Sequence, residues 1–215
     1  MKIGVLISGR GSNLKALIES QENGTLGAEI STVISNVPKV MGLKIADEKQ
    51  IENHVIDHKN YRNRELFEDE LTIILKASGV NLICLAGFMR ILTANFIKRW
   101  ENKIINIHPS LLPAFKGLNT HERAIESGAK FTGCTTHFVY PDLDEGPIIA
   151  QSVVPIGQND TVKTLSAKVL AEEHKLYPAT VNLISRGLVK VQKSLVTIKL
   201  YSSPDTSLVS PVLYD

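Results

Sequence analysis

The chain has little of what marks several protein classes. Only two of its 215 residues are cysteines, Cys84 and Cys134, and both lie in apolar, strand-like runs. They read as buried reduced thiols rather than as a disulfide framework. No Cys/His spacing of the zinc type occurs. No apolar run approaches the length of a membrane span. The apolar start, Met1 to Gly9, is too short for a secretory leader and lacks a cleavage site, so a cytoplasmic chain is expected. A net charge of only +2 gives no ground for binding nucleic acid or an anionic membrane. There is no internal repeat and no low-complexity segment. Apolar content of 43% and charged content of 21% are ordinary for one α/β core of this length.

What is present begins with Lys2 to Ser8, an apolar run suited to a strand buried on both faces. It leads into Ser8-Gly9-Arg10-Gly11-Ser12-Asn13, after which Leu14, Leu17 and Ile18 take helical spacing. Strand, glycine turn and helix N-terminus together present free backbone N–H groups to an anion. A dinucleotide fingerprint would need glycine where Leu14 stands, and the lysine of a P-loop is missing. The loop therefore suits one phosphate. A glycine turn used only for tight packing is the competing reading.

Ala28 to Asn36, His54 to Asp57 and Val80 to Ala86 read as strands. Helices are predicted over Gly42 to Gln50, Tyr61 to Ala77, Thr93 to Trp100 and His121 to Ser127. On the second of these, Leu66, Phe67, Leu71, Ile74 and Leu75 form the apolar face. Arg62, Arg64, Glu68 and Glu70 fall on the wet side. The alternation predicts an α/β fold: a Rossmann-like, mostly parallel sheet with helices on both faces. Lys130 to Tyr140 and Pro147 to Val154 add an antiparallel hairpin, with Gly133, Thr135 and His137 on one face. A helix over Thr161 to Ser185 should break or kink at Pro178, and Leu188 to Gln192 should form a last strand. One domain over residues 1–192 is expected, with 193–215 a tail of no assigned structure.

The chemistry gathers in Ile104 to Pro109, reading IINIHP, and in Asp142 to Pro147, reading DLDEGP. On a strand Asn106 and His108 share a face, and Pro109 ends the ladder. His108 then sits at a carboxyl end, where open α/β sheets bind ligands. Asp144 lies in an acidic turn that can bring a carboxylate to an imidazole. Amide, imidazole and carboxylate make a set for proton transfer and oxyanion stabilisation. A strand-end histidine with an ordinary turn aspartate is the alternative. In a parallel sheet the glycine loop and His108 lie on the same edge, so each signal strengthens the other. Gly87 to Leu92 could wall a flat aromatic ligand or simply cap the core. Pro109 to Gly117 is a candidate lid.

Five stretches together resemble the phosphoribosylglycinamide formyltransferase (GAR transformylase) family of formyl-folate transferases. They are Ile7 to Leu14, Leu85 to Leu92, Asn106 to Pro113, Gly133 to Val139 and Leu143 to Pro147. Glu173-His174 and Tyr177-Pro178 fit the family's later helix. The resemblance implies transfer of the formyl group of 10-formyltetrahydrofolate to the amine of glycinamide ribonucleotide, in de novo purine biosynthesis. It implies that Asn106, His108 and Asp144 are catalytic. Gly11, Ser12 and Asn13 match the phosphate cradle and Glu173 a ribonucleotide contact. Arg64, Met89, Arg90, Ile91, Leu92, Asn106, Tyr140, Pro141, Asp142, Leu143 and Asp144 match the folate pocket. Formyl-folate is then a co-substrate, no metal is expected, and the partners are small molecules bound by a monomer or homodimer.

The residue chemistry is consistent with this. Attack on a formyl carbon creates an oxyanion that Asn106 and His108 could stabilise. A neighbouring carboxylate favours the imidazolium, which could protonate the departing nitrogen. Cys134, Tyr140-Pro141 and Glu122 depart from the family's commoner residues and bear on the folate loop, not on the catalytic three. A tRNA formyltransferase would carry an added RNA-binding domain and a basic surface. A formyltetrahydrofolate hydrolase would carry an added N-terminal domain. A non-catalytic phosphosugar-binding protein on the same fold is the rival from another class, and it has no need of all three catalytic groups.

Overall fold

The computed structural model describes residues 1–192, 194–199, 202 and 205–210. Strand β1 (Lys2–Ile7) leads into helix α1 (Ser12–Glu22), followed by β2 (Glu29–Ser35), α2 (Met41–Glu48) and β3 (Asn53–Val55). Then come α3 (Arg64–Ala77), β4 (Leu82–Leu85), α4 (Ala94–Arg99), β5 (Ile104–His108) and α5 (Thr120–Glu126). The hairpin β6 (Phe131–Phe138) and β7 (Ile148–Pro155) precedes the long α6 (Val162–Ser185) and a second hairpin, β8 (Val189–Gln192) with β9 (Leu195–Ile198).

Seven strands form one sheet in the order β3-β2-β1-β4-β5-β6-β7. The pairings from β3 through β5 are parallel, and those of β5 with β6 and β6 with β7 are antiparallel. The sequence reading of an α/β, mostly parallel sheet with an added hairpin holds. Helices cover both faces. Ile3, Val5 and Ile7 of β1 join Leu14, Leu17, Val169 and Val181 in one core layer. Leu6 points the other way, among Phe67, Leu71, Leu75 and Phe96. A strand buried on both faces must be apolar at every position. Gly4 lets α3 settle on β1, since a Cβ there would lie 2.6 Å from Leu75 Cδ2.

The buried stripe of α3 is Phe67, Glu68, Leu71, Thr72 and Leu75. Leu66 is exposed, and Glu68, assigned to the wet side from sequence, is buried. Its carboxylate accepts the Thr93 N–H at 2.7 Å and the Thr93 hydroxyl. Thr93 caps α4, so the buried charge rests at a helix N-terminus with donors of its own. Helix α6 runs unbroken through Pro178 rather than breaking there. The boundary drawn after residue 192 falls inside the β8–β9 hairpin, in which Val189 pairs with Ile198 and Gln192 with Leu195. Val189, Val191, Val196 and Ile198 lean on the core, which is why this segment orders. Residues 193, 200–201, 203–204 and 211–215 of the expected tail lie outside the described residues.

Both thiols are buried and unpaired. Burial pushes each up to about 12, so neither is a thiolate at neutral pH. Tyr177 ties α6 to the sheet: its hydroxyl lies 2.9 Å from the Leu85 carbonyl and 3.2 Å from that of Ile105, and burial raises its pKa well above the ordinary value. Tyr177→Phe keeps the ring and removes the one proton that the hydroxyl shares between two strand carbonyls. It should destabilise the fold by about 0.5–1.5 kcal/mol, read as a lower urea midpoint. An unchanged midpoint would show that the carbonyls find other donors.

Candidate active site

The carboxyl ends of the parallel strands and the β6–β7 turn form one edge of the molecule. On β5, Ile105 and Ile107 face the α1/α6 core, which turns Asn106 and His108 to the other side. Antiparallel pairing with β6 sets Asn106 opposite His137 and His108 opposite Thr135. Asn106 Nδ2 lies 3.2 Å from His137 Nε2, and His137 Nδ1 lies 2.9 Å from the Phe138 carbonyl. That carbonyl can only accept, so Nδ1 carries the proton and Nε2 accepts from the Asn106 amide. Burial lowers the His137 pKa, which keeps this ring neutral. The sequence placed His137 on the right face but gave it no role. Only the register puts it against Asn106.

Asp144 adopts φ 53°, a left-handed conformation uncommon outside glycine and asparagine. Gly146 makes the turn possible, because a Cβ there would sit 1.7 Å from the Phe138 carbonyl oxygen. The turn brings Asp144 Oδ2 to 3.5 Å from His108 Nδ1 and its Oδ1 to 3.8 Å from His137 Nε2. Oδ2 also accepts the Gly117 N–H at 2.8 Å. His108 Nε2 lies 3.0 Å from the Phe115 carbonyl. Both nitrogens of His108 thus face acceptors, an arrangement that the imidazolium form satisfies.

The loop carrying Phe115 is pinned from β6 and β7. Thr135 Oγ1 donates to the Ser110 carbonyl at 2.7 Å and accepts the Leu112 N–H at 3.0 Å. Gln151 Nε2 donates to the Leu112 carbonyl at 2.9 Å. Sequence reasoning did not single out Gln151, since nothing local in a strand shows that it will hold a distant loop.

Gly11 takes φ 75° and caps α1 without a side-chain hydrogen bond. The first-turn N–H groups of Ser12, Asn13 and Leu14 therefore face outward without intrahelical partners. Gly11 is also needed for packing, because a Cβ there would come within 2.6 Å of Gly42 Cα. The sequence reading weighed ligand approach against tight packing for this turn, and the packing partner, Gly42 on α2, was not foreseen. Asn13 Nδ2 donates to Glu173 Oε2 at 2.7 Å, joining α1 to α6. Burial raises the Glu173 pKa, and the Asn13 hydrogen bond opposes that shift. Glu173 has this one partner, and Asn13 Oδ1 has none among the described residues.

Beside Asn106 opens a cavity of about 110 Å³. Arg90, Ile91, Leu92, Asn106 and the turn from Tyr140 to Asp144 line it, with Leu85, Phe88, Ile97, His137 and Val139 added by the fold. Two residues expected there from sequence stand outside its lining. Arg64 is exposed at the start of α3, and the Met89 side chain points into solvent while its N–H is held by Ser8 Oγ at 2.7 Å. Among the described residues, no three His, Cys, Asp or Glu side chains gather to hold a metal ion.

The formyl transferase family model matches residues 1–181. The chain is 41% identical to phosphoribosylglycinamide formyltransferase of Haemophilus influenzae, over 90% of this chain and 92% of that protein. It is 48% identical to the human trifunctional purine biosynthetic protein adenosine-3 over 88% of its own length, but spans only 19% of that longer protein. The crystal structure of glycinamide ribonucleotide transformylase 1 from Symbiobacterium toebii superposes with a TM-score of 0.90 at 41% identity, over 92% of this chain and 93% of that one. With a phosphate-type loop, a His–Asp–Asn cluster and an apolar cavity on one sheet edge, and with these relatives over nearly its whole length, the chain belongs to the formyl transferase family, among the phosphoribosylglycinamide formyltransferases.

Proposed function

We propose that this chain transfers the formyl group of 10-formyltetrahydrofolate to the amine of glycinamide ribonucleotide, releasing tetrahydrofolate and formylglycinamide ribonucleotide for de novo purine biosynthesis. The observation that carries the reading is spatial. The His108–Asp144–Asn106 cluster lies on the same sheet edge as the α1 loop and beside the apolar cavity. In this reading residues 1–192 carry the catalytic domain, which works in the cytoplasm as a monomer or homodimer on two small molecules. No helix among the described residues is long and apolar enough to cross a membrane.

The division of labour follows from the geometry. The free N–H groups at the start of α1 hold the ribonucleotide phosphate, and Glu173 accepts from its sugar or amide donors. Ile91, Leu92 and the turn at 140–144 hold the flat folate ring. The amine attacks the formyl carbon and the carbonyl oxygen gains negative charge. Asn106, its amide oriented by neutral His137, donates to that oxygen, and imidazolium His108 adds a charged donor. His108 then passes a proton to the departing folate nitrogen, while the attacking amine loses one to become the amide. Asp144 holds the ring and balances its charge. His108 Nε2 is covered by the Phe115 carbonyl, so the loop gives way when the proton moves on that side.

Following tetrahydrofolate release with and without glycinamide ribonucleotide tests the reading. Release should require the ribonucleotide; release without it would mark a hydrolase, and no release in either case would mark a binding protein.

Asp144→Asn is a clean probe because asparagine tolerates the left-handed backbone at this position. Turnover at neutral pH should fall about 10²–10⁴-fold, with ligand dissociation constants and the thermal midpoint nearly unchanged. Turnover close to wild type would remove Asp144 from the mechanism.

Glu173→Gln separates function from stability. The folded-state pKa of Glu173 is raised, so between its unfolded and folded values the native state binds more protons than the unfolded chain. Stability therefore falls as pH rises through that window and stays lower above it. The variant should be more stable than wild type in urea at pH 7, with the advantage vanishing near about pH 4. Its affinity for the ribonucleotide should drop about tenfold. A Gln variant less stable at pH 7 would show that the buried carboxylate is satisfied by the fold itself.

A further inference from the structure

Ser8 ends β1 just before the glycine loop. Its hydroxyl accepts the Met89 N–H at 2.7 Å and donates to Asn36 Oδ1 at 2.5 Å. Asn36 is buried at the end of β2, and its Nδ2 lies 3.1 Å from His58 Nδ1 beyond β3. One chain of hydrogen bonds thus joins the segments that leave the carboxyl ends of four neighbouring parallel strands. The ladder between β1 and β4 stops at the Ala86 N–H to Leu6 carbonyl bond of 2.9 Å. Past that point, Ser8 Oγ is the one hydrogen bond between the loop at 8–13 and the segment at 87–92 among the described residues. On one side of it lies the loop assigned to the ribonucleotide phosphate. On the other, Met89 immediately precedes Arg90, Ile91 and Leu92 of the cavity wall.

We propose that Ser8 is a positioning residue that fixes the distance between the two bound substrates; this rests on the transfer reaction assigned above. Transfer between separately held molecules depends on near-attack geometry, and a displacement of about 1 Å costs about 100-fold in rate. The position needs a short side chain that donates and accepts at once, which a hydroxyl supplies and a methyl does not. It gives Met89, whose side chain is outside the cavity, a part through its backbone N–H.

The test uses the whole chain with Ser8→Ala and Ser8→Thr. Turnover at saturation with both substrates is measured beside the separate dissociation constants for glycinamide ribonucleotide and tetrahydrofolate. Ser8→Ala should lower kcat about 10- to 100-fold, keep each dissociation constant within about threefold, and speed hydrogen exchange at the Met89 amide. Ser8→Thr should restore most of the rate. A Ser8→Ala enzyme with kcat near wild type overturns the proposal. So does one whose rate falls only in step with lost binding or lost thermal stability. An inactive wild-type protein would overturn the transfer reaction and the positioning role together, whereas an active wild type with an indifferent Ser8→Ala overturns the positioning role alone.

Discussion

Asn106 faces His137, and His108 faces Thr135, because β5 pairs antiparallel with β6 in one register. A slip by one residue would turn Asn106 and His108 into the α1/α6 core and bring Ile105 and Ile107 out of it. Ile105, Ile107, Cys134 and Phe138 all bury their side chains on that opposite face. At roughly 1.5–3 kcal/mol for each large apolar side chain, those contacts hold the register far more firmly than the polar pairs do. The face that carries Asn106 and His108 is therefore positioned by the core behind it. The turn at 140–146 inherits the same frame, since Gly146 packs against the carbonyl of Phe138, the last residue of β6.

Burying polar groups at this edge is unfavourable unless each has a partner. The two buried glutamates show the contrast. Glu68 takes a backbone N–H and a hydroxyl from Thr93, and this contact pins the end of the 87–92 segment to α3. Among the described residues Glu173 has only Asn13, and burial raises its pKa. The fold thus surrounds the Glu68 carboxylate with donors of its own and leaves that of Glu173 short of them. Neutral His137 follows the same logic, since burial disfavours its charged form and Asn106 satisfies its unprotonated nitrogen.

The sheet supplies a rigid frame, and the loops at its carboxyl edge are where the proposed chemistry is placed. Two of these loops, each assigned to a different substrate, are attached to adjacent strands β1 and β4. Their spacing is set by strand separation and by the few hydrogen bonds beyond the ladder. Loop 109–117 comes from β5 and is held by Thr135 and Gln151, so it belongs to the hairpin side of the site. Of the three, loop 109–117 is the one that reaches His108, through the Phe115 carbonyl.

Much of this was legible in the sequence. The strand–helix alternation, the hairpin, the glycine loop and the Asn106/His108 face all follow from periodicity and local turn chemistry. Those patterns depend on neighbours within a few residues. Glu68, Gln151 and His137 could not be read that way, because their roles depend on partners 25, 39 and 31 positions distant. Arg64 and Met89 are exposed and stand outside the cavity lining, a matter of how α3 packs and of the Ser8 bond to the Met89 N–H rather than of local pattern. The hairpin partner β9 was missed because its alternation is short and its burial comes from the main core. Which residues can do the chemistry was a property of the sequence, since it needs only side-chain type and strand period. Which of them meet was decided by the tertiary structure, because strand register and loop packing are settled by the burial of side chains far away along the chain.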